Sequence, residues 1–393
     1  MPIQLSGCAW GHARGYDPMV ATASTYREQE PSVEVAWQQR SLQAFADQPL
    51  GELAAQYDLI VVDHPHVGEA AAEGFLVPLD EVLPPDALAE QRLQSVGPSF
   101  ASYRWAGHQW ALPTDVASQV AAWRPDLIDR PPRTWEEVAI LAEEGRVLWP
   151  LKPVDAVSSF FSLSANRGTP VATKHTELCV DEDAHAVLDQ MLRVSNHVPA
   201  ECLGLNPFEI LERLAAEQDR YAYCPLLYGY SNYARPGYRP RLVRFANMPS
   251  LGTRGPRGSM LGGAGLAISA SCRDVNAAAG YVLHVADPET QRTTYFEAGG
   301  QPGNAVAWDD DAVNAAASDF FRDTRDTLEQ SWVRPRYAGY LTVQEHVGQL
   351  VNHVLQGTVD RNHALQEMHE VYRRTLAEAP YGGADPIEEQ ADE

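Results

Sequence analysis

Short apolar, β-branched runs alternate with amphipathic stretches through the first part of this chain. Ile3 to Trp10 reads as a core strand, Asp17-Pro18 opens a helix running to about Glu28, and Ser32 to Trp37 alternates as a second strand. Together they predict a βαβ unit. Ser41 to Phe45 and Pro49 to Gln56 are expected as short helical pieces. Asp58 to Val62 is too short and too β-branched for a helix, so it predicts a third, fully buried strand. Three strands with helical crossovers imply a doubly wound sheet, because parallel neighbours need such connections.

The third strand stops abruptly at Asp63, His64, Pro65 and His66. Polar residues released at the carboxyl end of a buried strand sit where open α/β sheets bind ligands. Val67 to Glu73 is then amphipathic and ends at Gly74, a helix with its stop. Trp105 to Ala111 predicts a tight hairpin with Gly107 at the turn. Leu112-Pro-Thr-Asp115 leads into Gln119 to Arg124, a strand heading out of the first domain. Thr134-Trp-Glu-Glu137 fits a helix start with a capping box. The middle region is mostly helical, including Asp183 to Val194 and Pro207 to Glu217, until Arg220 to Cys224 returns as a strand. Gly263 to Ser269 is expected to rejoin the first domain, and the rest is helical. The tail 381–393, acidic and rich in Gly and Pro, is expected to be disordered.

Length and charge narrow the class. At 393 residues and 45 % hydrophobic, two domains are the natural expectation. A formal charge of -23 argues against nucleic acid and anionic membrane surfaces, which need clustered Lys and Arg. The five cysteines have no zinc-site spacing and read as buried free thiols. No stretch approaches the ~20 apolar residues of a membrane-spanning helix. Leu5-Ser6-Gly7-Cys8 mimics a lipoprotein cleavage box but lacks a basic region and a hydrophobic segment before it. The location therefore stays open: cytoplasmic if Met1 is the true start, periplasmic or cell-surface if a leader was removed.

The order of four passages resembles the extracellular solute-binding proteins of ABC importers, the sugar-type branch related to maltose-binding protein. They are Tyr57 to Asp80, the hairpin with Leu112-Pro-Thr-Asp115, Arg124-Pro-Asp-Leu through Pro132-Arg-Thr-Trp-Glu-Glu-Val138, and Gly262-Gly-Ala-Gly-Leu-Ala-Ile-Ser269 with the Ala-rich helix after it. The resemblance implies an α/β periplasmic-binding-protein-like fold, two lobes with an interlobe cleft that closes by a hinge. Lobe one would hold residues 1–113 and 262–312, lobe two 114–261 and 313–380. It also implies a monomer that works with ABC transporter membrane subunits if exported. Asp63, His64, Asp115 and the loop Tyr228 to Tyr233 match places where that family contacts ligand. Gly299-Gly-Gln-Pro-Gly303, with Gln301, matches a loop that closes the cleft.

Residue chemistry supplies the candidates. Tyr228, Tyr230 and Tyr233 offer aromatic faces for a sugar or planar ligand, with Ser231 and Asn232 to orient it by hydrogen bonds; the same tyrosines equally suit packing beneath neighbouring segments. Trp10 and His12, just after the first strand, repeat that logic. Arg334 and Arg336, around a rigid proline, suit a bidentate grip on a carboxylate or an ion pair between lobes. Asp63, His64 and His66 suit ligand hydrogen bonds, and no third metal ligand follows from spacing, so no metal and no cofactor are expected. Gly262-Gly-Ala-Gly265 precedes its strand, which rejects a nucleotide fingerprint. The leading expectation is capture of a small polar organic ligand without chemistry. The alternative is a cytosolic, metal-free enzyme on the same fold, an isomerase, lyase or cyclase, with Asp63, His64, His66 and Asp115 moving protons, a histidine beside a carboxylate being tuned near neutral pH. A metabolite-binding cytosolic sensor is a third, weaker reading.

Overall fold

The computed structural model describes residues 2–40 and 49–379. The helical piece expected at Ser41 to Phe45 and the acidic tail lie outside them. The strands are β1 (Ile3–Trp10), β2 (Val33–Arg40), β3 (Leu59–Val62), β4 (Arg104–Trp105), β5 (His108–Gln109), β6 (Leu112–Trp123), β7 (Tyr223–Tyr228), β8 (Arg244–Ala246) and β9 (Leu261–Ile268). The main sheet runs β2-β1-β3-β9-β6-β7, with β8 also paired to β6.

Among the described strands of the main sheet, β2, β1 and β3 pair in parallel and the others antiparallel. The doubly wound expectation therefore holds for the three strands it was drawn from, in the order β2-β1-β3, and not for the rest of the sheet. Strand β9 returns from a distant part of the chain and enters beside β3 in the opposite sense, so no helical crossover constrains it. The helix after β1 starts at Ala13, four residues before Asp17, because the His12 ring caps it: His12 Nδ1 accepts the Arg14 N–H at 3.0 Å. Pro18 accordingly lies inside that helix.

The segment Leu112 to Trp123 is one buried twelve-residue strand, not a short lead-in followed by a second strand. Its first half, Leu112 to Ser118, pairs with β9; its second half, Gln119 to Trp123, pairs with β7 and β8. One strand thereby links the two α/β lobes. Pro113 fits within it because the β6–β9 register is irregular between Pro113 and Asp115. The hairpin turns at Ala106 and Gly107, both at positive φ. Thr134 caps Trp135–Glu143 by accepting the Glu137 N–H, while the Glu137 carboxylate takes the Arg133 N–H at 2.6 Å.

The second lobe is mainly helical. Helix Pro153–Arg167 packs on β6 and Pro207–Leu214 on β7, while Asp181–Ser195, Tyr340–Leu355 and Arg361–Glu378 pack against Pro153–Arg167 and one another. All five cysteines are buried and free. No described helix is long and apolar enough to cross a membrane.

Candidate functional site

A cavity of about 330 Å³ opens where β6 crosses between the lobes. The first lobe contributes Trp10, Arg14 and the turn after β3; the second contributes the starts of helices Pro153–Arg167, Pro207–Leu214 and Tyr340–Leu355 and the end of β7. The size falls at the low end of ordinary small-molecule pockets.

Local sequence explains how the side chains arrive there. Asp63 ends β3 and caps a single 3-10 turn, His64–His66, by accepting the His64 N–H at 2.8 Å. That turn separates the two imidazoles: His64 is buried beneath it and His66 faces the cavity. Arg334 Nη2 then donates to both Asp63 oxygens, at 2.6 and 2.7 Å. Burial opposes ionisation of Asp63, but Arg334 and the bonds from His64 outweigh it and hold the carboxyl well below the usual range. The carboxylate that Arg334 grips is thus the chain's own. Arg336 does not reach the cavity wall and donates to the Ala101 carbonyl at 2.8 Å.

The expectation of a histidine tuned near neutrality meets a different environment. Burial, then the Arg334 charge, lowers the His64 pKa to about 4, against the opposing pull of Asp63. His64 is a neutral imidazole at pH 7, and the nearby carboxylate does not compensate for lost solvation plus a guanidinium 3.5 Å away.

Asp115 on β6 is matched by Arg14, a residue that sequence reasoning passed over. Arg14 Nε donates to Asp115 Oδ2 at 2.7 Å, Nη2 bonds Oδ1, and Nη1 reaches the Gly229 carbonyl at 2.7 Å. Both side chains are at most 3 % exposed. Burial presses the Asp115 carboxyl upward, against the pull of the Arg14 charge and its bonds and of a bond from the Gln301 backbone. The Arg14 guanidinium also lies 4.6 Å from the Tyr230 ring centroid.

Aromatic groups complete the wall. Trp10, Phe208, Tyr228 and Tyr230 all border the cavity. Phe208 sits 4.6 Å from Tyr230 and 4.4 Å from His12, whose ring stacks parallel to Trp10 at 5.5 Å. His12 therefore lies behind the wall, and burial, then Arg14, lowers its pKa to about 4. Ser231, Asn232 and Tyr233 do not border the cavity. The Ser231 N–H donates to Gln301, Asn232 Nδ2 to the Gly299 carbonyl, and the Tyr233 hydroxyl to Glu212. Gln301 in turn donates to the Val116 carbonyl, so it fastens the Tyr228–Tyr233 loop to β6 from outside the cavity.

Several bordering residues escaped the sequence reading: Arg14, Lys152, Asp155, Asn206, Phe208 and Gln344. Phe208 and Asn206 had a partial signal, since Asn206-Pro-Phe-Glu209 is a capping box that marks a helix start. Glycine at 262 and 263 shapes the floor: a Cβ at Gly262 would meet the Tyr228 ring at 2.6 Å. Among the described residues no group of three or more His, Cys, Asp or Glu side chains is arranged to hold a metal ion.

Two α/β lobes joined by a shared strand, with a lined cavity between them, define a two-lobed ligand-binding fold. Residues 9–147 match the family of bacterial extracellular solute-binding proteins. Solved structures agree over nearly the whole chain. Maltose-bound MalE3 of T. maritima is similar with a TM-score of 0.79 and 19 % identity, covering 95 % of this chain and 99 % of that one. An ABC transporter solute-binding protein from Thermotoga lettingae, bound with α-D-tagatose, matches with a TM-score of 0.79 and 17 % identity over 95 % and 100 %. Another from Agrobacterium radiobacter, in complex with ribitol, gives 0.76 and 19 % over the same shares. The fold is the maltose-binding-protein-like one.

Proposed function

We propose that this chain is a solute-binding protein that captures one small polar organic molecule between its lobes and does no chemistry on it. The observation that carries this reading is the cavity at the β6 crossing, walled by four aromatic side chains and bordered by one buried Arg–Asp pair and one partly exposed one. Aromatic faces cover the apolar side of a polyhydroxylated ligand, and fixed charged groups orient its hydroxyls. Related folds bind maltose, tagatose and ribitol, which supports a sugar or polyol as ligand. The comparisons lend no support to the enzyme alternative.

We assign contact with ligand to Trp10, Asp63, His66, Asp115, Phe208, Tyr228, Tyr230 and Arg334, and a supporting role to His12, His64, Ser231, Asn232, Tyr233, Gln301 and Arg336. The lobes divide as residues 1–113 with 262–312 and 114–261 with 313–380, and the chain acts as a monomer. The family implies delivery to ABC transporter membrane subunits. Calorimetric titration with a panel of monosaccharides, polyols, their amino derivatives and maltose tests this. Saturable one-to-one binding that is weakened at least tenfold by Tyr230→Ala supports it; turnover of a bound member, or absence of binding by the whole panel, overturns it.

A further inference from the structure

Charge in the cavity does not balance by contact. Arg14 and Arg334 are committed to Asp115 and Asp63. A third acid, Asp155, borders the same cavity in the first turn of helix Pro153–Arg167, is 3 % exposed, and has an Oδ2 without a hydrogen-bond partner. A buried carboxyl left unsatisfied beside an open cavity awaits a donor from whatever fills that cavity. The wall near it is aromatic, with Tyr228, Tyr230 and Phe208 bordering the same space, and ring faces favour cations over anions.

We infer that the solute carries an amine, held as an ammonium by Asp155 against this aromatic wall; the ligand class is an amino sugar or amino polyol. The inference rests on the solute-binding reading above and narrows it. Burial pushes the empty-state Asp155 pKa up to about 8, opposed by Lys152 and reinforced by Glu209 on the neighbouring helix. Tyr228, Tyr230 and Cys224 also face Asp155 from β7 and the loop beyond it, and all three stay protonated at neutral pH, their pKa values raised chiefly by burial. Lys152 repels an ammonium, but its attraction does not offset the burial of Asp155. An arriving ammonium makes the ionised carboxylate the favoured form, so binding transfers the Asp155 proton to buffer.

The test is calorimetry with matched pairs that differ only in the amine: glucamine against glucitol and glucosamine against glucose. Titrations run at pH 7 in two buffers of different ionisation heat, on the full chain and on Asp155→Asn. The expected result is at least tenfold preference for the amine member, release of close to one proton per glucamine, and collapse of both in Asp155→Asn. Glucitol binding as tightly as glucamine, with no proton release, overturns the amine inference and leaves solute capture standing. Binding of none of the four, nor of maltose, overturns both. A far-UV circular dichroism spectrum of Asp155→Asn matching the parent's, with a melting temperature no lower, certifies the variant's fold; if either fails, buffer-dependent proton release by the parent decides alone.

Discussion

Arg334 and Asp63 stand 271 positions apart in sequence, yet one guanidinium nitrogen reaches both carboxylate oxygens. The pair joins the end of β3 to the segment that follows Trp332, which itself exchanges backbone bonds with Ser259 and Leu261 next to β9. It fixes the edge of the cavity and at the same time neutralises a charge that faces it. Arg14 and Asp115 do the same on the other side, 101 positions apart. Both pairs hold the cavity edge by uniting segments that only the finished fold brings together.

Arg334→Met is expected to destabilise the protein by about 2 to 4 kcal/mol at pH 7, because it leaves Asp63 ionised and unpaired. The figure stays below that of a sealed ion pair since Asp63 is 22 % exposed to the cavity. Adding Asp63→Asn should restore most of the loss. The Asp63 pKa is depressed in the folded state, so its contribution is full above the ordinary carboxylate range and is lost as pH falls through the folded value. Urea titrations from pH 7 to pH 3 should show the parent losing its advantage over Arg334→Met toward the acid end. Equal denaturation midpoints at pH 7 would refute the role given to this pair.

Gly263→Ala should be among the more damaging substitutions in the chain. Its φ of +115° suits only glycine, and an added Cβ would lie 2.2 Å from the Asp115 carbonyl oxygen. Backbone strain of about 1 to 3 kcal/mol adds to that clash. Since β9 sets the position of β6 here, Asp115 and with it Arg14 should shift. The expected outcome is a lower melting temperature together with weaker ligand binding; unchanged values for both would count against this register.

Much of this architecture was legible along the chain. The runs at Ile3, Leu59 and Gly263 each announce a buried strand, the alternation from Val33 announces a half-exposed one, and Gly74, at φ +68°, stops its helix where expected. The unity of β6 was not legible, because Pro113 and Asp115 look like a break when read locally; antiparallel pairing with β9, with its register irregularity, absorbs both. Asp155 gave no signal either. An acid in a helix's first turn is ordinary, and only packing against β7 and the neighbouring helices turns it into a buried, unpartnered carboxyl. The Tyr228–Tyr233 loop was found as a unit, but which of its side chains border the cavity depends on Gln301 and Gly299, seventy residues away.

Asp155→Asn should flatten the pH dependence of stability. With a folded pKa of about 8, Asp155 imposes no penalty at pH 3, where both states are protonated, and an increasing one as pH rises toward 8. The variant lacks that slope. It is expected to match the parent near pH 4 and to exceed it by about 2 to 4 kcal/mol at pH 8 without ligand. Chemical denaturation across pH 4 to 8 reads this directly, and parallel stability curves for the two proteins would show that Asp155 is ionised in the empty cavity.

Phe208→Ala should expose a connection between the aromatic wall and the helix that carries Arg14. The Phe208 ring covers His12, whose Nδ1 caps that helix by accepting the Arg14 N–H. Burial is the leading cause of the low His12 pKa, so admitting water should raise it from about 4 toward its ordinary 6.5. A histidine depressed in the folded state contributes stability above its unfolded pKa and loses it as pH falls through the folded value; raising the folded value shrinks that acid-side slope. Protonation also removes the acceptor on Nδ1, and with it the cap, so in the variant the Arg14–Asp115 pair should loosen near pH 6, not near pH 4. Titration of the His12 ring protons by NMR should show an upward shift of one unit or more. Ligand binding should weaken by about tenfold from the lost aromatic face, and further as pH drops from 7 to 6. A His12 titration unmoved by the substitution would mean that Phe208 is not what keeps water from the imidazole.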